Sequence, residues 1–194
     1  MKEPALFDRR PVLVAVAGPN GAGKTTFYHA HLEAAGLRFI NADVLAADLA
    51  LEAYAAARVA DALRRELLKR KESFVFETVF SDPMGEKLGF LREAENAGYT
   101  VVLCFVGLSS PDLSEERIAM RVTQGGHDVP SEKVKSRFPR ILANLRAAVR
   151  DLSHVLIYDN SDLRHPFRRI AVFERSLCVY RSKVLPSWIR SVIG

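Results

Sequence analysis

Cysteine is scarce in this chain of 194 residues: there are two, Cys104 and Cys178, among 48% hydrophobic and 26% charged residues. Both sit in apolar, strand-like segments, so two buried free thiols are expected rather than a metal site. No apolar run approaches the ~18–20 residues of a membrane span, and no membrane partner is expected. Met1 to Asp8 has no signal-peptide core, so a cytoplasmic location is the default expectation. Internal repeats, low-complexity runs and linkers are missing too. A single domain over 1–194 follows, with a substantial core and room for a lid. Aromatic–basic interleaving is absent, as is any recognised nucleic-acid motif.

Charge is unevenly spread. The net +5 combines 13 basic and 17 acidic side chains in residues 1–116 with 15 basic and 6 acidic ones in residues 117–194. A basic C-terminal half suits either nucleic acid or the phosphates of a small substrate. The missing nucleic-acid motifs favour the small substrate.

What is present is concentrated in one stretch. Gly18-Pro19-Asn20-Gly21-Ala22-Gly23-Lys24-Thr25 matches the P-loop pattern G-x-x-x-x-G-K-[ST] at every fixed position. The all-apolar Val12–Ala17 reads as a buried strand leading in, and Thr26 to Leu32 as the helix leading out. The glycines let successive backbone N–H groups wrap a polyphosphate, and the helix dipole adds positive potential there. Lys24 is expected to reach the β and γ phosphates of ATP, and the Thr25 hydroxyl to coordinate Mg²⁺. Gly18 to Thr26 is therefore the expected nucleotide site.

Further strands are expected at 37–41, 73–77, 99–106 and 155–158. The helices between them are expected at 44–71 in two pieces, 83–97, 114–123 and 131–152, the last capped by Ser131. Nearly all-apolar strands alternating with helices indicate an α/β fold with a parallel sheet covered on both faces. Residues 168–181 read as a small hairpin turning at 174–176, and 186–192 as a last helical turn.

Ligands in such sheets bind at the C-terminal strand ends, and two of those ends carry acids. Asp43 follows the second strand. It reads as the base that orients and deprotonates an acceptor hydroxyl, or as the cap of the next helix. Glu77 ends the third strand, where it suits Mg²⁺ held through water, substrate hydroxyls, or a salt bridge with a helix. Arg117 and Arg121, then Gly125-Gly126, then Arg137 and Arg140 read as a helical lid over about 112–140 that brings arginines onto transferring phosphates. His127, in the glycine turn, suits a substrate contact or a structural hydrogen bond. Asn160, just past the fifth strand, lies where this architecture places the nucleotide base.

Taken together, these segments resemble the zeta-toxin family of P-loop kinases, most of all its short members. The resemblance is carried by GPNGAGKTTF (18–27), INADVLA (40–46), FETVFS (76–81), RV-x-x-GGHDVP (121–130), RFPRILANL (137–145) and YDNS (158–161). It implies a three-layer P-loop fold with a five-stranded parallel sheet in the order 2-3-1-4-5. It implies ATP-dependent phosphorylation of a hydroxyl on a UDP-linked amino sugar, with an antitoxin as a candidate partner. Under it Asp43 is the base, Glu77 and Thr78 are substrate-side residues, and Arg121 and Arg137 are the lid arginines. Two other classes stay open at this point. A polynucleotide or RNA-directed kinase is distinguished by a steep fall of affinity with salt. A non-catalytic nucleotide-binding regulator is distinguished by a dispensable Asp43.

Overall fold

The computed structural model describes residues 4–123 and 128–193. A short helix α1 (Pro4–Phe7) precedes β1 (Val12–Ala17), the P-loop and α2 (Lys24–His31). β2 (Arg38–Ile40), α3 (Ala42–Asp48) and α4 (Ala53–Lys69) follow, then β3 (Phe74–Thr78) and α5 (Glu86–Asn96). β4 (Thr100–Gly107), α6 (Pro111–Val122), α7 (Ser131–Asp151) and β5 (His154–Asp159) complete the expected alternation. β6 (Arg168–Glu174), β7 (Leu177–Arg181) and α8 (Ser187–Ile193) end it.

The sheet order is β2-β3-β1-β4-β5-β6-β7. β2 to β5 pair parallel with their neighbours in the expected 2-3-1-4-5 order. The hairpin corrects the expected size: β6 pairs antiparallel with β5 and β7 with β6, so seven strands form one sheet. The apolar β6, with Ile170 and Ala171 fully buried, needs a partner on each side, and the bare edge of β5 supplies one.

Alternate β1 residues feed two cores. Leu13, Ala15 and Ala17 join α4, α5, α7 and α8 on one face. Val12, Val14 and Val16 join α1 and α2 on the other. That two-sided burial is why the strands are apolar at every position rather than at every second one.

Helix ends differ in detail from the sequence expectation. Asn41, not Asp43, caps α3, its Oδ1 accepting from the Asp43 N–H at 2.8 Å. Pro130 precedes α7, so Ser131 is inside the helix and its hydroxyl donates to Glu115 of α6 at 2.5 Å. Pro83 lies outside α5, which begins after a left-handed Gly85. Cys104 is buried as expected, whereas Cys178 is exposed because β7 is the sheet's outer edge.

The C-terminal helix locks the sheet end. A Cβ on Gly107 would meet the Trp188 indole at 2.2 Å, so the end of β4 is bare for the ring to lie on it. The indole Nε1 donates to Asp159 Oδ1 at 3.0 Å. Trp188→Ala is expected to cost about 3–5 kcal/mol through lost packing and an abandoned buried carboxylate bond. Denaturant unfolding measures it, and a loss under 1 kcal/mol would mean that α8 is peripheral.

Candidate active site

The P-loop turns on glycine backbones. Gly23 sits at φ +82°, and a Cβ there would press on the Asn160 amide at 3.0 Å. Lys24 and Thr25 then open α2, with Lys24 only 6% exposed and Thr26 on the open side. The Lys24 ammonium donates to the Pro19 carbonyl at 3.1 Å and lies 3.6 Å from Glu77 Oε1. Burial lowers the Lys24 pKa, against the opposing charges of Glu77 and Asp43 and with that of Arg121. The charges of Glu77, Asp43 and Arg121 thus all bear on Lys24, although the four residues come from β3, α3, α6 and α2.

Glu77 arrives at the P-loop through register. β3 lies beside β1, with Glu77 opposite Val16 and Thr78 opposite Ala17, the last two residues before the loop. Its Oε2 accepts from the Thr25 hydroxyl at 2.7 Å and from Asn41 Nδ2 at 2.9 Å. The carboxylate is therefore turned to Lys24 and Thr25, on the nucleotide side of where the family resemblance puts it, while the residue still lines the adjoining cavity. A hydroxyl and a carboxylate, both hard oxygen donors at a phosphate loop, fit Mg²⁺, which takes few protein ligands and completes its shell with phosphate and water.

Beside these groups opens a cavity of ≈ 510 Å³. Asn41, Asp43, Glu77 and Thr78 line its P-loop end, and Arg137 and Arg140 reach it from α7. Asp61, Arg64, Asp82 and Lys87 form another part of the wall. Arg64 is buried over the Phe76 ring at 4.8 Å and paired with Asp61; burial, helped by Arg65, brings its pKa down to about 10. Arg64, Asp82 and Lys87 were not legible as site residues. α4 and α5 read simply as helices, and their approach to β3 depends on packing.

Two polar side chains are committed within the fold. Asn160 is 4% exposed and both ends of its amide are in use. Nδ2 donates to the Ala22 carbonyl at 2.9 Å and Oδ1 accepts from the Phe167 N–H at 3.3 Å. It braces the P-loop from beneath, so its side chain is not open to a nucleotide base. Arg117 donates to the Ser161 carbonyl at 3.3 Å, joining α6 to the same post-β5 segment. The expected Gly125-Gly126 turn and His127 lie outside the described residues.

A family model described as an AAA domain matches residues 13–148. No curated protein matches the chain. Among solved structures, the AvrRxo1-ORF1:AvrRxo1-ORF2 complex with sulphate ions superposes with a TM-score of 0.73 at 17% identity, covering 96% of this chain and 65% of that one. This chain therefore spans just under two thirds of that relative. The PezAT chromosomal toxin–antitoxin system of Streptococcus pneumoniae gives 0.57 at 16% identity, covering 93% and 76%. A gluconokinase from Sinorhizobium meliloti gives 0.51 at 19% identity, covering 82% and 89%. At such identities the likeness is one of fold, and the fold is that of P-loop kinases.

Asn160→Ala tests the brace. Leaving the Ala22 carbonyl unbonded under the loop is expected to weaken ATP binding about 5–30-fold, the equivalent of one buried hydrogen bond. Calorimetry on the folded variant reads it, and unchanged affinity would show that the loop holds its shape unaided.

Proposed function

The chain belongs to the AAA domain family that its residues 13–148 match, and from that premise we propose that it is an ATP-dependent phosphotransferase. Its acceptor is a hydroxyl of a small molecule, in first place a UDP-linked amino sugar. One observation carries the reading: the charges of Glu77, Asp43 and Arg121 all bear on Lys24, beside a cavity that Asp43 and Glu77 line. The likeness to PezAT and to AvrRxo1-ORF1:-ORF2, one structure of which holds ATP, supports the nucleotide and the toxin-like branch. An antitoxin partner is proposed on the same ground.

In this mechanism the P-loop N–H groups bind the β and γ phosphates. Lys24 leaves the Pro19 carbonyl to meet them, a step its buried, Glu77-facing position prepares. Mg²⁺, when bound with the nucleotide at Thr25 and Glu77, neutralises charge on those phosphates. Asp43, exposed at the first turn of α3 and uninvolved in capping, is free to take the proton of an acceptor hydroxyl in the cavity. The acceptor oxygen bonds to the γ phosphorus as the bond to the bridging β–γ oxygen breaks, and ADP leaves. The Asp43 proton then passes to water. Arg121 stabilises charge on the transferring group, and Arg137 meets it or the acceptor from α7.

Lys24→Ala is expected to abolish ATP turnover and sharply weaken ATP binding. Asp43→Asn is expected to keep ATP binding and lower phosphotransfer by about 10²–10⁴-fold; because Asn41 is the cap, folding is not at stake. A rate within a few-fold of wild type would move the base to another acid. Arg121→Ala is expected to lower kcat with little change in the KM for ATP, with Lys restoring only part. An increase in KM alone would make it a binding residue. A screen with labelled ATP against nucleotide sugars and RNA ends reads the acceptor, and preference for RNA with steep salt dependence would overturn the sugar assignment.

A further inference from the structure

Charge is one-sided in the last stretch of the chain. Residues 175–194 contain no Asp or Glu, whereas they include Arg175, Arg181, Lys183 and Arg190. Three of these cations meet at one place: Arg181, Ser182, Lys183, Leu185 and Arg190 line a cavity of ≈ 370 Å³. Arg181 ends β7 opposite Ala171 of β6, whose side chain joins the core that α8 also enters. Arg181 therefore points to the face on which α8 lies. Arg190 comes from α8 itself, and Lys183 from the segment between them. No residue lining the cavity beside the P-loop takes part.

Three arginines of the preceding stretch are committed within the fold. Arg164 pairs with Asp162, Arg168 pairs with Asp159, and Arg169 lies over the Tyr180 ring at 4.8 Å. Arg181, Lys183 and Arg190 differ: they are exposed and have no carboxylate partner among the described residues. Like charges gathered without an acid repel one another, a cost that a bound anion removes. The wall that carries them is held in place. The Ser182 N–H donates to the Ile170 carbonyl at 2.8 Å, Arg168 donates to the Val184 carbonyl at 3.3 Å, and Leu185 packs on the core. The bond from Trp188 to Asp159 fixes α8, and with it the backbone of Arg190.

We propose that this cavity is an anion site, separate from the P-loop, that takes a small compound carrying two adjacent phosphates. A single phosphate group carries at most about two negative charges at neutral pH, so a second is needed to balance three cations. Guanidinium forks bind phosphate oxygens in pairs, and the Lys183 ammonium adds a point charge beside them. Held backbone supplies all three side chains, so only the side chains themselves are ordered on binding. A nucleic-acid strand needs a continuous basic track, and the cations leading up to this cavity are already paired. The site does not depend on phosphotransfer at the P-loop.

Equilibrium dialysis of the full chain against labelled pyrophosphate counts the sites. Wild type is expected to take up two equivalents, one at the P-loop and one here. Lys24→Ala is expected to keep only the second. Arg181→Gln combined with Arg190→Gln is expected to keep only the first, each substitution alone weakening the second by about 10-fold. Both arginines are exposed, so the combined variant is expected to melt at the wild-type temperature. Arg190→Lys keeps the charge but not the fork and is expected to lose about threefold. In the Lys24→Ala chain, unlabelled phosphate is expected to compete about 10-fold more weakly than pyrophosphate. A single equivalent in wild type, or a second equivalent that survives both Gln substitutions, would overturn the site. Equal competition by phosphate or sulphate would overturn the diphosphate class. Stronger competition by a mixed-sequence oligonucleotide would overturn the small ligand in favour of a nucleic-acid strand.

Discussion

A loop that offers its N–H groups to phosphate turns its carbonyls the other way, and those carbonyls need donors from the protein. Three separate parts of this chain supply them. Asn160, at the end of β5, donates to the Ala22 carbonyl, and Ser114 of α6 to that of Asn20. Lys24 donates to Pro19 from within the loop's own helix. Asn160 is itself fixed, its N–H donating to the Gly107 carbonyl and its neighbour Asp159 holding Trp188 and Ser161. The order of the strands suits this need, since β4 lies beside β1 and β5 beside β4, which brings the segment after β5 to the loop.

The electrostatics of the site are balanced rather than simply basic. Lys24 is buried, and burial alone would push it toward the neutral form; Glu77 and Asp43 oppose that. Glu77 performs a second task by accepting from Thr25 and Asn41, so the cap of α3, the third strand and the P-loop helix share one carboxylate. In the proposed reaction this network has to open as phosphate arrives. Lys24 and Thr25 then exchange protein partners for ligand partners of the same charge type, which keeps reorganisation small.

α7 joins the two halves of the chemistry. Its Arg137 and Arg140 reach the cavity while Asn144, two turns on, holds the Phe80–Asp82 turn. Its N-terminal end is tied to α6 by Ser131 and Lys135, both on Glu115. The basic C-terminal half of the sequence therefore reaches the cavity beside the P-loop through two residues of α7, and Arg181, Lys183 and Arg190 line a separate cavity near the C-terminus. That distribution favours a small anionic acceptor over a long polyanion, which needs a continuous basic track.

The sequence by itself determined the P-loop and the alternation of apolar strands with helices, whereas the 2-3-1-4-5 strand order came only with the family resemblance. The first two are local properties: turn chemistry, period and propensity act within a few residues, and buried strands show it in every side chain. Asp43 and Glu77 were legible as acids at strand ends for the same reason. The tertiary structure alone decided which partners those ends meet. Glu77 bonds a threonine 52 residues away, and Asn160 a carbonyl 138 residues away. No periodicity encodes such pairings, so Asn160 read as a base contact, whereas its amide bonds the Ala22 carbonyl and the Phe167 N–H. The hairpin read as an appendage and joined the sheet, leaving Cys178 on an open edge. The burial of both Asp82 carboxylate oxygens without a hydrogen-bond partner among the described residues likewise exists only once the helices have closed around the turn.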